Sequence, residues 1–203
     1  MRKVIFGIMG LTLAAGSAQA AGIGARIGTT GLGADVAWDL APTLSARLGY
    51  SGGTVNHDVS TDVTYHGKLK LSNLNTFLDF APLGPLFRIT GGFIFNQNKF
   101  DVNTDQVNGG SISGTVKPSN SAAPYLGIGY GRVSGAGVNF YADLGVMFQG
   151  SPKATLTANC GSLSAGQCST LQSQVASEQA QLEDKLKNAK YYPVLNIGLT
   201  IGF

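Results

Sequence analysis

Residues 191–203 constrain the fold most strongly, because apolar side chains alternate with small or polar ones along the whole segment. One face carries Pro193, Leu195, Ile197, Leu199, Ile201 and Phe203, and the other carries Val194, Asn196, Gly198, Thr200 and Gly202. A period of two predicts a β-strand with one apolar face and one face of small or polar side chains. The segment finishes on an aromatic residue of the apolar face, which suits a strand that closes a sheet in lipid.

The same alternation recurs in seven earlier segments, near 23–28, 32–40, 44–51, 63–80, 87–98, 125–131 and 138–149. Short turns at 41–43, 82–85 and 134–137 alternate with long connections near 52–62, 103–121 and 150–190. An even strand number with alternating short and long connections is typical of a closed, antiparallel, up-and-down barrel that spans a membrane. The sequence therefore predicts an all-β, eight-stranded transmembrane β-barrel. If 22–40 were one bent strand instead of two, a strand around Ile112 to Val116 would have to restore the even number.

The N-terminus has the three parts of a secretory signal peptide. Arg2 and Lys3 form the charged region, Val4 to Ala15 the apolar region, and Ala18 to Ala20 an A-x-A cleavage site. The apolar run is about twelve residues, shorter than the roughly twenty that span a bilayer. We therefore predict a signal peptide at 1–20 and one barrel domain at 21–203. Only 12% of the residues are charged, so no basic face for nucleic acid is indicated.

These features resemble the small outer-membrane β-barrel families of Gram-negative bacteria, of the OmpA transmembrane-domain, OmpX and OmpW kind. The resemblance rests on the signal peptide, the alternation, the turn asymmetry and the terminal Phe203. It implies location in the outer membrane, contact with outer-membrane lipid and lipopolysaccharide, and recognition of Phe203 by the barrel insertion machinery. It also implies that both ends of the mature chain lie in the periplasm, and we expect a monomer.

Charged residues on the predicted inward faces are balanced in number. The six are Arg26, Asp35, Arg47, Asp79, Arg88 and Asp143. Because a lone buried charge is costly, equal numbers predict an ion-pair network inside the lumen. A barrel of eight strands is only wide enough to be filled by side chains or to hold one small ligand. A plugged lumen is the favoured hypothesis, and a narrow pore lined by the same residues is the alternative.

Outward aromatic residues near the predicted turns fit a girdle at the periplasmic interface. They are Trp38, Phe80, Phe87, Tyr130, Phe140 and Phe203.

The connection at 150–190 holds both cysteines and a helical pattern. Cys160 and Cys168 lie in a chain predicted to be exported, which favours a disulfide within this loop. Residues 169–190 predict an amphipathic helix with Ser169 as N-cap and an apolar stripe that includes Leu171 and Val175. The helix either covers the barrel mouth or rim, which we favour, or binds an extracellular partner.

The sequence gives weak support for catalysis. His57 and His66 fall near Asp58, Ser60 and Asp62, but no nucleophile elbow or spaced acid–base pair accompanies them. We predict no enzymatic activity, no cofactor and no metal site. The favoured function is a structural or surface-interaction role through the outer loops. The alternatives are a narrow pore or carrier for small molecules and, less favoured, a lipid-modifying enzyme.

Overall fold

The computed structural model describes residues 20–60, 64–104 and 109–203, with the side chains of 57–60, 64, 65 and 104 outside the description. Eleven strands and one helix follow in chain order. They are β1 (Ala21–Gly28), β2 (Gly31–Ala41), β3 (Leu44–Ser60), β4 (Thr64–Phe80), β5 (Phe87–Asn96), β6 (Lys99–Thr104), β7 (Ser111–Lys117), β8 (Ala122–Gly131), β9 (Gly137–Phe148), β10 (Lys153–Asn159), α1 (Ala165–Leu186) and β11 (Tyr191–Gly202).

Eight of the strands form a closed antiparallel barrel in the order β1, β2, β3, β4, β5, β8, β9, β11. The closing pair is β11 with β1, in which Ala25 lies opposite Leu199. On its other side β1 pairs with β2 through a tight hairpin, and Gly31 adopts a positive φ of 100° there. Residues 22–40 are therefore two strands, and the prediction of eight barrel strands is confirmed.

Side chains alternate between the exterior and the lumen along each barrel strand. On β11 the exposed Ile197 and Ile201 alternate with the buried Asn196 and Thr200. The apolar side chains lie outside and the polar ones inside, the reverse of a water-soluble sheet, as a lipid-facing exterior requires. In the described part of the chain, no helix is long and apolar enough to cross a bilayer.

Two of the eight barrel strands, β3 and β4, continue past one end of the barrel into a second sheet. Residues 53–60 of β3 and 64–71 of β4 pair with each other there, and β6, β7 and β10 add successively to β4. We call these five segments the outer sheet, and the end of the barrel beneath it the loop end. The opposite end, with the short connections near 42–43, 81–86 and 132–136, is the turn end.

The outer sheet corrects the sequence interpretation, because the long connections predicted near 52–62, 103–121 and 150–190 contain strand residues. Strand β7 occupies 111–117 and β10 occupies 153–159. Their alternating Thr, Val, Ile and Leu were obscured by flanking Gly, Ser and Asn. The β3–β4 register runs from Leu44 opposite Phe80 to Ser60 opposite Thr64 without a shift. Leu69 and Leu71 lie on the opposite face of β4 from Leu74 and Leu78. Because no bulge separates the two pairs, the change of face comes from a strand that leaves the apolar belt.

Helix α1 starts and ends earlier than the predicted 169–190. Its N-cap is Ser164 and not Ser169, because the Gln167 side chain accepts a hydrogen bond from the Ser164 backbone nitrogen at 3.1 Å. The helix packs against β10 at the edge of the outer sheet. Gln179 and Glu183 accept hydrogen bonds from the edge amides of Leu156 and Ala154, at 3.0 and 3.3 Å.

The predicted disulfide is confirmed, because Cys160 and Cys168 are bonded, with Cα atoms 5.3 Å apart. It ties the end of β10 to the first turn of α1.

Candidate functional site

Four charged side chains meet across the lumen in one cluster. Arg47 from β3 lies 3.1 Å from Asp79 and 2.7 Å from Asp143, measured between nitrogen and oxygen. Arg88 from β5 lies 3.2 Å from Asp79 and is also ion-paired with Asp143. Two guanidinium groups and two carboxylates thus alternate in a neutral ring, all of them buried.

The guanidinium groups of this ring also contact aromatic faces. The Arg47 guanidinium carbon lies 5.2 Å from the centroids of both the Phe77 and Tyr141 rings, and that of Arg88 lies 5.4 Å from Tyr141. Such contacts add cation–π stabilisation to the ion pairs. Because every charge has an opposite partner and a second contact, the ring avoids the cost of an isolated buried charge.

A second ion pair lies beside the ring, between strands that adjoin each other. Arg26 of β1 lies 3.2 Å from Asp35 of β2, and both side chains are inaccessible to solvent. Arg26 also donates to Ser51 at 3.3 Å, and Tyr141 donates its hydroxyl proton to Asp35. Tyr141 therefore joins the pair to the ring. All six predicted lumen charges lie within this connected set.

An apolar layer occupies the lumen on the loop-end side of the charges. Phe77, Ile94, Tyr125, Met147 and Val194 are buried and pack together there. The Phe77 and Tyr125 rings stack with centroids 4.7 Å apart. This layer was not predicted, because the interpretation of the inward face was based on its charged residues. The alternation of each strand does place Phe77, Ile94 and Met147 on the inward face, so the sequence contained the information needed to predict it.

At the turn end, the connection between β8 and β9 folds back into the barrel mouth. Val133 and Ser134 are buried, although they lie in a turn. Ser134 and Ser45 both donate hydrogen bonds to Asp39, the latter at 2.7 Å. A polar opening of about 60 Å³ remains between this turn and Asp79 and Arg88, large enough for water only.

The predicted aromatic girdle residues lie on the barrel exterior. Tyr130, Phe140 and Phe203 are strongly exposed, Phe80 and Phe87 are exposed, and Trp38 is partly exposed. Phe87 lies opposite Tyr130 in the β5–β8 pair next to the turn end. The loop end has an aromatic contact of its own, which the sequence analysis did not predict. Phe148 and Tyr191 meet edge to face there, with centroids 5.6 Å apart.

A cavity opens on the exterior of the barrel wall. It has a volume of about 630 Å³ and follows the strip where Gly91 of β5 lacks a side chain, between Leu78 and Phe93. A Cβ at Gly91 would meet no atom within 4 Å. Because its lining is largely apolar and comes mainly from outward residues such as Leu78 and Phe93, this cavity is a trough on the lipid-facing surface.

The outer sheet has two unlike faces. One face holds Leu69, Phe100, Val116 and Leu156 in neighbouring strands. The other face is polar and basic, with these residues across four strands: Lys68, Lys70, Lys99, Asp101, Asn103, Ser113, Thr115, Lys117, Lys153, Thr155 and Thr157. We call this second side the lysine face. Two adjoining hollows of about 420 and 480 Å³ lie on it.

Among the lysine-face side chains that the structure describes, Asp101 is the carboxylate. It accepts a hydrogen bond from Thr115 at 2.9 Å and pairs with Lys70 and Lys99, each at 3.3 Å. The hydrogen bond from Thr115, together with the two lysines, holds the pKa of Asp101 below its ordinary value. The carboxylate is therefore ionised at neutral pH and offsets one of the five lysine charges.

Of the residues considered for catalysis, His66 is the one whose side chain the structure describes. His66 is exposed on the outer sheet, on the same face as Lys68. The side chains of His57, Asp58 and Ser60, and the whole of Asp62, lie outside the description. Within the described residues, no group of three or more His, Cys, Asp or Glu side chains has the arrangement of a metal site.

Comparisons with known proteins support the fold. No protein-family model matches the chain, and no curated protein sequence matches it. The crystal structure of Acinetobacter baumannii CarO2 is similar, with 23% identity and a TM-score of 0.62. The likeness covers 91% of this chain and 98% of that one. The crystal structure of Acinetobacter baumannii CarO has 22% identity and a TM-score of 0.61, over 90% and 97% of the two chains.

The closed sheet, the apolar exterior and these similarities agree. The chain is a small eight-stranded β-barrel with an apolar, lipid-facing exterior, the fold of outer-membrane barrel proteins.

Proposed function

We propose that this protein is a monomeric barrel with a plugged lumen, which acts as a structural or surface-interaction protein through the layer formed by its outer sheet and α1. The loop end faces the cell exterior in this proposal and the turn end faces the periplasm. Short periplasmic turns and longer extracellular connections are the usual asymmetry of bacterial barrels. The role is non-enzymatic.

One observation carries the proposal: the neutral ring of Arg47, Asp79, Arg88 and Asp143. A solute on its way through the barrel would have to separate these pairs, and truncating one partner of a buried ion pair costs about 3–5 kcal/mol. The apolar layer around Met147 and the inserted turn at Ser134 lie on either side of the ring. Three successive obstacles favour a plugged barrel over a conducting one.

The outer layer supports the interaction role. It is built from five strand segments and a helix of 22 residues. An eight-stranded barrel needs none of this to close, and ordinary hairpins would connect its strands. The additional layer is therefore where we expect contacts with an extracellular partner.

Planar-bilayer recordings test the plugged lumen against the pore hypothesis. Folded protein should give no discrete conductance steps. Reproducible steps that change when Arg47 is neutralised would refute the plugged lumen and favour the pore.

A variant in which short turns replace 98–119 and 150–189 tests the interaction role. This variant should insert normally and lose any surface phenotype of the full chain. Retention of that phenotype would assign the function to the barrel itself.

A further inference from the structure

We infer that the lysine face is a binding site for phosphate groups of outer-leaflet lipid headgroups, centred on a row formed by Lys70, Lys99, Lys117 and Lys153. This inference rests on the outer-membrane location and on the proposed orientation, with the loop end outside the cell, and is independent of the interaction role proposed above.

The row is set by strand register. Lys70 lies directly opposite Lys99 in the β4–β6 pair, and Lys153 directly opposite Lys117 in the β7–β10 pair. In the β6–β7 pair Phe100 lies opposite Val116, so the next position brings Lys99 beside Lys117. Neighbouring strands are about 4.8 Å apart. Four ammonium groups thus stand side by side on four adjacent strands.

Such a row is unfavourable unless anions compensate it, because like charges directly opposite each other destabilise a sheet. Asp101 compensates Lys70 and Lys99 only. Lys117 and Lys153 are both exposed, and within residues 20–60, 64–104 and 109–203 neither forms an ion pair. The two lysines line the same hollow of about 480 Å³ together with Lys99. The geometry thus provides uncompensated positive charge around a concave space.

The position of the row identifies the anion. Three of the lysines lie next to a break between a barrel strand and a strand of the outer sheet. Lys99 follows the break at 97–98, Lys117 precedes the break at 118–121, and Lys153 follows the break at 149–152. Lys70 is on the same face of β4 as Leu74 and Leu78, which are exposed on the barrel exterior. The lysine face is therefore the continuation of the lipid-facing surface.

The height of the row also fits a headgroup. Lys70 is four residues beyond Leu74, the outermost apolar residue of β4 on this face. Four residues at about 3.3 Å each, on a strand tilted by about 40°, rise about 10 Å above that level. Lipid headgroups form a layer of about 5–8 Å on each side of the hydrocarbon core, and the lysine stem spans the remaining distance. Thr115 and Thr155, which line both hollows, add hydroxyl donors suited to phosphate oxygens.

The test compares two variants that remove the same charge. K99Q/K117Q/K153Q neutralises three lysines of the row, and K185Q/K187Q/K190Q neutralises three lysines at and beyond the end of α1. Full-length protein in zwitterionic detergent is titrated with bisphosphorylated lipid A, and bound lipid is counted by native mass spectrometry. We expect about tenfold weaker binding in the row variant and less than twofold weakening in the control. Equal binding in the two variants would overturn the inference.

Two further arms identify the source of the phosphate. Dephosphorylated lipid A should bind at least about tenfold more weakly to the native protein, and equal binding would refute phosphate recognition. Inorganic pyrophosphate should not displace lipid A at equal concentration; displacement would assign the row to a soluble phosphate compound instead. Heat-modifiable migration in gels reports folding. Should the triple variant not fold, K117Q/K153Q removes the two lysines without ion pairs, and K117R/K153R should keep binding within about twofold.

Discussion

Arg47 and Asp143 join opposite walls of the barrel through an ion pair of 2.7 Å. Their strands, β3 and β9, are separated by three others whichever way the barrel is followed, so the pair spans the lumen at its full width. The two residues are 96 positions apart in the chain. The barrel is thus held closed across its interior as well as around its wall.

Replacing Asp143 by Asn should destabilise the barrel by about 3–5 kcal/mol, because it leaves Arg47 and Arg88 with one carboxylate between them in a buried site. Urea unfolding followed through Trp38 fluorescence measures the change. Asp184→Asn is the matched control, since Asp184 pairs with Lys187 at the protein surface and such pairs are worth at most about 1 kcal/mol. Equal effects of the two substitutions would contradict a stabilising ring.

Replacing all four residues of the ring should make the barrel more permeable to ions, while the net charge of the protein stays the same. The quadruple variant R47S/D79S/R88S/D143S keeps the net charge and replaces four large side chains by small polar ones. If the ring is the main obstacle, this variant should conduct ions in planar bilayers where the native protein is silent. Silence of a folded quadruple variant would move the obstacle to the apolar layer, and adding Met147→Ala and Ile94→Ala would then test that layer.

The barrel could be predicted from the sequence because one physical rule, apolar side chains outside and mainly small or polar ones inside, operates along every spanning strand. The rule fails where strands leave the membrane. At Leu69 and Leu71 the apolar side chains move to the other face of β4, and in β7 only seven residues carry the pattern. Strands outside the apolar belt give no more signal than ordinary polar loops, so the outer sheet was missed.

The candidate sites also differ in how far they could be predicted from the sequence. Inward parity and equal charge numbers were enough to nominate the six lumen charges, but not to pair Arg47 with Asp143 across the barrel. The lysine row could not be predicted from the sequence at all. Its members lie in four separate parts of the sequence, and only the registers of three strand pairs bring them into one line. The two cysteines were predictable because their contact is local.

Reducing or removing the disulfide should loosen α1 and leave the barrel unchanged. The bond closes a short loop, for which chain entropy gives a stabilisation of about 2 kcal/mol. In C160S/C168S we expect faster amide exchange in the first turns of α1, near Cys168, and an unchanged midpoint of barrel unfolding in urea. A lowered midpoint would show that the outer layer and the barrel unfold together.

The contact of α1 with β10 should protect the outer sheet from pairing with other molecules. Gln179 and Glu183 occupy the amides of Leu156 and Ala154 on the free edge of β10, and open strand edges recruit further strands. Q179A/E183A should therefore raise hydrogen exchange at these two amides and promote concentration-dependent oligomers, seen by light scattering of the protein in detergent. Q174A/E178A changes the same residue types at exposed positions of α1 and should do neither. Equal behaviour of the two variants would mean that α1 packs on β10 without shielding its edge.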